Sequence, residues 1–147
     1  MCSATPEALE LNVKAIIENH PHVTDNIEDF MRCKGFRDET VFDVRLAVDE
    51  AVTNVIEHGY EGREGKIHIR CEVTPDEVVL TIEDWAKPFD PSSVKEPQFS
   101  DNVEKRRIGG LGIYLMKKKM DQVAYEFRNG KNILTMKKKC VANDVLF

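Results

Sequence analysis

Polar residues recur at four-residue intervals in the stretch 49–60, which reads DEAVTNVIEHGY. Residues four apart on a helix differ by ~40° around its axis, so Glu50 and Asn54 project from nearly the same side. The small residues Ala47 and Ala51 lie beside them and leave room for another group to approach. A carboxylate can accept the proton of a hydroxyl, and an amide oxygen can ligate Mg²⁺. Taken alone, the pattern fits either such a site or the solvent-facing side of an amphipathic helix.

Two later stretches carry residues suited to nucleotide chemistry. In IEDWAKPFDP (82–91), Asp84 ends a predicted strand and is either a turn former or an acceptor for an amine such as that of adenine. In RRIGGLGIY (106–114), three glycines precede a predicted helix. Glycines let the backbone approach a phosphate closely and helix N-termini bind anions, although a flexible hinge would use the same residues. The order GGLG matches neither the Rossmann nor the P-loop pattern.

The composition predicts one globular domain over 1–147, with 41% hydrophobic and 32% charged residues. A formal net charge of -5 gives no indication of binding to nucleic acid or to an anionic membrane, and the lysine runs 117–119 and 137–139 are interpreted as solvated faces. The cysteines and histidines do not have the spacing of a metal site. Because the chain shows no long apolar run and no signal-peptide pattern, we expect a cytoplasmic protein with reduced thiols.

Hydrophobic periodicity and turn residues predict an α+β fold. Gly35 and Gly59 are expected to end two helices, Asn129-Gly130 to close a hairpin, and the polar stretch 85–107 to form a mobile or functional loop. The order of elements predicts helices on one face of a mixed, mainly antiparallel sheet. The expected strands are 9–17, 66–74, 77–84, 122–129 and 131–138, and the expected helices are 23–33, 38–58 and 108–121.

Three short sequences, taken in order, resemble the ATP-binding domain of the GHKL superfamily. They are EAVTN on a helix, IED at a strand end leading into KPFDP, and GGLGI at the start of a helix. Within the superfamily the chain is similar to the small anti-sigma factor serine/threonine kinases, over residues 9–138. The resemblance implies a two-layer α/β sandwich of the Bergerat type, binding of ATP with Mg²⁺, and a lid over the nucleotide at 91–108.

The resemblance also implies roles for single residues. Glu50 matches the general base of these kinases, Asn54 the Mg²⁺ ligand and Asp84 the adenine-binding carboxylate. Arg106 and Arg107, at the end of the lid, are either solvated or able to reach a γ-phosphate, where Arg107 would take part in catalysis. The remaining nucleotide-binding positions that the resemblance implies are Ala86, Pro88, Gly109, Gly110, Leu111, Gly112 and Thr135.

One position departs from the family pattern. The family usually has a glycine two residues after the adenine-binding aspartate, where this chain has Ala86. If the backbone has a positive φ there, alanine costs on the order of 1 kcal/mol or shifts the loop. The neighbouring Trp85 is expected either beside the nucleotide or packed under the lid.

The function that the resemblance implies is that of an anti-sigma factor serine/threonine kinase. Such a protein transfers the γ-phosphoryl group of MgATP to an anti-anti-sigma (STAS-type) protein and holds a sigma factor inactive. It is frequently a homodimer, and it binds protein partners and not nucleic acid or a membrane. The main alternative is an ATP-binding regulatory or sensor module without significant kinase activity, and a nucleotide-independent interaction protein is the weaker third.

Overall fold

The computed structural model describes residues 7–89 and 110–140. Five strands and three helices account for most of these residues, together with two short helical turns. The strands are β1 (Glu7–Lys14), β2 (Lys66–Val73), β3 (Glu77–Asp84), β4 (Gln122–Arg128) and β5 (Lys131–Lys139). The helices are α1 (His20–Cys33), α2 (Asp38–Asn54) and α3 (Gly110–Lys119); a 3₁₀ turn (Ile17–Asn19) precedes α1 and a π-helical turn (Val55–Gly59) continues α2.

The strands form one sheet in the order β1-β2-β3-β5-β4, and every neighbouring pair is antiparallel. The predicted fold class is confirmed, but the expectation of a mixed sheet is wrong for the described residues. Strand β4, which follows α3, runs in the same direction as β3, yet β5 inserts between them, so no parallel pair forms. The hairpin that inserts β5 is the predicted one, with φ of 55° at Asn129 and 79° at Gly130, as a type I′ turn requires.

The helices cover one face of the sheet, and the core lies between the two layers. From α2, Val44, Val48 and Val52 are at most 1% exposed, as the predicted valine stripe indicates. Helix α2 packs against both α1 and α3, so its two flanks are covered as well. The buried residues of the central strands that face this layer are Ile67, Ile69, Cys71, Val73, Val78, Leu80 and Ile82.

The start of α1 and the end of β1 each differ from the prediction by three residues. Helix α1 begins at His20 and not at Val23, because Pro21 lies in the first turn, where no backbone N–H is needed. Strand β1 ends at Lys14, and the chain turns through the 3₁₀ segment before α1. Neither shift changes the face that α1 buries, since Val23 and Ile27 are fully buried.

The π-helical turn at the end of α2 connects this helix to two strands. Tyr60 N donates to Val55 O at 2.8 Å, which closes the wide turn. The Tyr60 hydroxyl oxygen then accepts hydrogen bonds from Lys66 N at 3.2 Å and from Trp85 N at 2.8 Å. The residue that follows Asp84 is thereby tied to the end of α2.

Candidate functional site

A cavity opens where the end of α2, the end of β3, α3 and β5 meet. It contains about 430 Å³ of empty space, part of which is open to solvent. Its walls are mainly apolar, with a few polar side chains contributed by separate elements. The lining residues are Ala51, Asn54, Val55, Gly59, Ile82, Asp84, Lys87, Phe89, Met116, Tyr125, Asn132 and Leu134.

Asp84 is the last residue of β3 and is only 5% exposed. Its Oδ1 accepts hydrogen bonds from Ala86 N at 3.0 Å and from Asn132 Nδ2 at 2.8 Å. Burial raises the pKa of the Asp84 carboxyl group, and these two hydrogen bonds oppose the rise. Within the described chain, Oδ2 has no hydrogen-bond partner, so it is available to a donor in the cavity.

Ala86 does not have the positive φ that would strain an alanine. Among the described non-glycine residues, only Glu61 and Asn129 have a positive φ. Ala86 is 9% exposed and packs against the end of the π-helical turn, where a Cβ on Gly59 would lie 3.1 Å from Ala86 Cβ. The close approach of the two segments is thus accommodated by glycine at position 59, and the backbone at position 86 is unstrained.

Asn132 lines the cavity, although no motif of the sequence predicted a role for it. It is 5% exposed and stands directly opposite Asp84 in the pairing of β3 with β5. Its side-chain amide donates to Asp84 and accepts a hydrogen bond from the Tyr125 hydroxyl. The signal in the sequence was a polar residue in step with Leu134 and Met136, which share its inward face of β5.

Thr135, the strand residue that the resemblance implied, lies on the other face of β5. It pairs with Thr81 of β3 and Ala124 of β4 and does not line the cavity. Because side chains alternate along a strand, Thr135 and Asn132 project from opposite faces of the sheet. The structure therefore does not bring Thr135 together with Asp84.

Asn54 is the last residue of α2, is 7% exposed and lines the cavity. Its Nδ2 is buried and has no hydrogen-bond partner among residues 7–89 and 110–140. A buried amide without a partner is costly, and rotation of the amide would present either its nitrogen or its oxygen to a ligand. Asn54 thus fits the predicted role of an oxygen ligand for Mg²⁺ that shares its remaining positions with phosphates.

Glu50 lies one turn before Asn54 and is partly buried. Its carboxylate contacts the first turn of α3, where a Cβ on Gly112 would overlap it. Burial raises the pKa of Glu50, Asp49 adds to the rise, and His20 opposes it. A carboxylate with a raised pKa is a better proton acceptor near neutral pH. Glu50 does not itself line the cavity, but the next residue, Ala51, does.

The predicted glycine cluster opens α3, which begins at Gly110 and continues through Leu111 and Gly112. The first turn of α3 is therefore beside Glu50. The predicted site residues that lie outside the described part of the chain are Arg106, Arg107, Gly109 and the lid 91–108.

The segment after β3 contributes two of its residues to the cavity. Lys87 and Phe89 line it, whereas Pro88 between them is exposed and does not. The Phe89 ring stacks on His58 with ring centroids 6.5 Å apart. Trp85 is 50% exposed and lines a separate groove and not the cavity. The lid, under which it was alternatively expected, lies outside the described residues.

The comparison with known families places this fold among the ATPase domains of the histidine kinase type. Residues 13–138 match the family of the histidine kinase-like ATPase domain, and the chain belongs to this family. Among the residues that the structure describes, each helix is too short or too polar to span a bilayer.

Within this family the chain is similar to serine-protein kinases and anti-sigma factors. It is 33% identical over 115 residues to the serine-protein kinase RsbW of Oceanobacillus iheyensis, covering 75% of this chain and 72% of that protein. It is 29% identical over 137 residues to the anti-sigma F factor of Thermoanaerobacter sp., covering 92% and 95%. A solved structure of the RsbU and RsbW domains of a Mycobacterium tuberculosis protein superimposes with a TM-score of 0.66 at 16% identity, which supports the fold. That match covers 95% of this chain and 35% of the solved one.

Proposed function

We propose that this chain is a serine/threonine protein kinase that binds MgATP in the cavity and phosphorylates an anti-anti-sigma (STAS-type) protein. The observation that carries the proposal is the placement of Glu50 and Asn54 one turn apart on α2, with Asn54 and Asp84 on one cavity. The similarity to proteins named serine-protein kinase and anti-sigma F factor supports the same activity.

The cavity residues have distinct tasks in binding. Asp84 Oδ2 would accept a hydrogen bond from the 6-amino group of adenine, since a carboxylate is an acceptor and this amine is a donor. The Asn54 amide oxygen would ligate Mg²⁺. The first turn of α3, with Gly110 and Gly112, would present backbone N–H groups to the phosphates. Bound MgATP would supply the transferable phosphoryl group and the positive charge of the metal.

Glu50 would act on the protein substrate and not on the nucleotide. Its carboxylate would orient the serine or threonine hydroxyl and accept its proton as the oxygen attacks the γ-phosphorus. Catalysis would then depend mainly on positioning and on charge stabilisation, to which Arg107 would contribute. The roles of Arg107 and Gly109 remain predictions from the sequence.

We also propose that the same protein holds a sigma factor inactive until the unphosphorylated anti-anti-sigma partner competes for it. A protein partner requires no net basic charge, which agrees with the formal net charge of -5. The proposed assembly is a homodimer in the cytoplasm, and light scattering of the purified chain tests its size.

The proposal is tested by incubating the chain with labelled MgATP and candidate partner domains. Wild type, Glu50→Gln and Asn54→Ala are compared with Asn26→Ala, a control that changes an asparagine of α1 away from the cavity. Label transfer that Glu50→Gln abolishes while ATP still binds supports the kinase. ATP binding without transfer to any partner supports the alternative, a regulatory or sensor module. If the wild type binds no nucleotide, both functions are excluded.

A further inference from the structure

The side-chain amide of Asn132 lies within hydrogen-bonding distance of five polar groups. Its Nδ2 donates to Asp84 Oδ1 at 2.8 Å, and also to the carbonyl oxygens of Ala86 at 3.2 Å and Lys87 at 3.1 Å. Its Oδ1 accepts from Phe89 N at 3.2 Å and from the Tyr125 hydroxyl. The side chain therefore connects Asp84 to the whole segment that follows it.

These partners determine which way the Asn132 amide points. All three groups around Nδ2 are acceptors, and both groups around Oδ1 are donors. The opposite orientation would set oxygen against oxygen and N–H against N–H, so only one orientation satisfies the network. At 5% exposure, water has little access to replace any of these contacts.

The fixed amide has a consequence for Asp84. Because Asn132 Nδ2 and Ala86 N both donate to Oδ1, that oxygen is held as an acceptor and Oδ2 is left without a partner in the described chain. The two hydrogen bonds favour the ionised carboxylate, while burial favours the protonated acid. Removing the Asn132 donor would therefore shift Asp84 toward an acid that can donate a hydrogen bond.

We propose that Asn132 is a positioning residue that sets the preference for adenine by keeping Asp84 Oδ2 an acceptor in the cavity. This inference rests on the proposed nucleotide binding. Adenine presents an amino donor at position 6, whereas the hypoxanthine of inosine triphosphate (ITP) presents an oxygen acceptor there. An acceptor oxygen on Asp84 accepts a hydrogen bond from the 6-amino group of adenine and repels the 6-oxygen of hypoxanthine. A protonated Asp84 can donate to that oxygen, so it no longer discriminates between ATP and ITP.

The test compares the dissociation constants of ATP and ITP by calorimetry. Asn132→Thr and Asn132→Val are compared, because threonine and valine have nearly the same shape as each other and both suit a strand. Of these two residues, only threonine can donate a hydrogen bond to Asp84. Since hydrogen bonds to charged groups are worth more than neutral ones, we expect valine to reduce the ATP-over-ITP preference by about tenfold or more, and threonine to retain most of it. Asn12→Val, on the exposed side of β1, is the matched control and should keep the wild-type ratio.

The ratio of the ITP and ATP dissociation constants shows whether Asn132 positions Asp84 or only stabilises the fold. A valine variant that loses affinity for ATP and ITP in parallel, with the ratio unchanged, overturns the inference. If Asn132→Val does not fold, Asn132→Ala replaces it, and an unchanged ratio there has the same meaning. A wild type that prefers ATP but transfers no phosphate contradicts the kinase and leaves the ratio test intact, whereas a wild type that binds neither nucleotide removes both proposals.

Discussion

Gly112 lies so close to Glu50 that a side chain at position 112 would occupy the space of the Glu50 carboxylate. The contact joins the first turn of α3 to α2, and strands β2 and β3 lie between these two helices in the chain. The absence of a side chain at position 112 therefore allows the Glu50 carboxylate, the proposed base, to occupy its observed position. The first prediction tests that relationship.

Gly112→Ala should displace the Glu50 carboxylate without unfolding the protein, since alanine is favourable in a helix. We expect phosphate transfer to fall by about tenfold or more, because a general base contributes a factor of this order or larger. In a Glu50→Gln background the same change should have little further effect, since it acts through Glu50. Label transfer by the four proteins gives the answer; additive losses would mean that Gly112 acts independently of Glu50.

Glu50→Gln should make the folded protein more stable at neutral pH. The pKa of Glu50 is raised mainly by burial, so the folded state disfavours the charged form that the unfolded chain carries freely. As the pH falls through the folded-state pKa, the folded protein takes up the proton and this cost disappears. Melting temperatures at pH 8 and pH 5 should therefore show a gain for Glu50→Gln that is larger at pH 8. A gain of equal size at both pH values would contradict a cost that depends on charge.

His20 and Asp49 should shift the acid limb of the phosphate-transfer profile in opposite directions. His20 Nε2 lies against the Asp49 carboxylate, and the two groups act oppositely on the pKa of Glu50. Asp49→Asn removes a negative neighbour, so the pKa of Glu50 should fall and activity should persist to lower pH. His20→Gln removes the neighbour that lowers the pKa of Glu50, and the limb should move to higher pH. Rates measured across pH 5 to 8 decide the matter, and shifts of the same sign in both variants would exclude this electrostatic account.

Much of the fold was predictable because its signals are local. The valine stripe of α2, the alternation of β2 and β3, and the Asn129-Gly130 turn each depend on residues near one another in the chain. Helical spacing likewise predicted that Glu50 and Asn54 project from nearly the same side of α2, whereas their roles came from the family resemblance. The contacts of these residues with other elements could not be predicted from the spacing.

The role of Asn132 depends on a pairing that the sequence does not encode locally. Alternation places Asn132 and Leu134 on one face of β5, but only the insertion of β5 beside β3 sets Asn132 opposite Asp84. The same insertion is the reason that no parallel pair forms among the described strands. The close approach of Gly59 to Ala86 was not predictable either, because it joins segments that are distant in the chain.

Asp84→Asn and Thr135→Val should have very different effects on ATP affinity. Asp84 faces the cavity, and asparagine would retain its shape but change the groups presented to adenine. We expect ATP affinity to fall by about tenfold or more, as for the loss of a hydrogen bond to a charged group. Thr135 projects from the opposite face of the sheet, so Thr135→Val should change the affinity by less than about twofold. Calorimetry measures both, and a large loss in the Thr135 variant would show that the strand threonine acts as the family resemblance implies.

Gly59 and Ala86 should depend on each other for stability. A Cβ on Gly59 would lie 3.1 Å from Ala86 Cβ, so Gly59→Ala should destabilise the protein by forcing the π-helical turn away from the segment after β3. Ala86→Gly should lower the free energy of unfolding by about 0.5–1 kcal/mol through the greater freedom of the unfolded chain. It should not tighten ATP binding, because Ala86 has no positive φ to relieve. In the double variant the added methyl group has room, so the loss measured by urea denaturation should be smaller than the sum of the two single losses. Simple additivity would mean that positions 59 and 86 act independently. Tighter ATP binding by Ala86→Gly would mean that alanine at position 86 is strained.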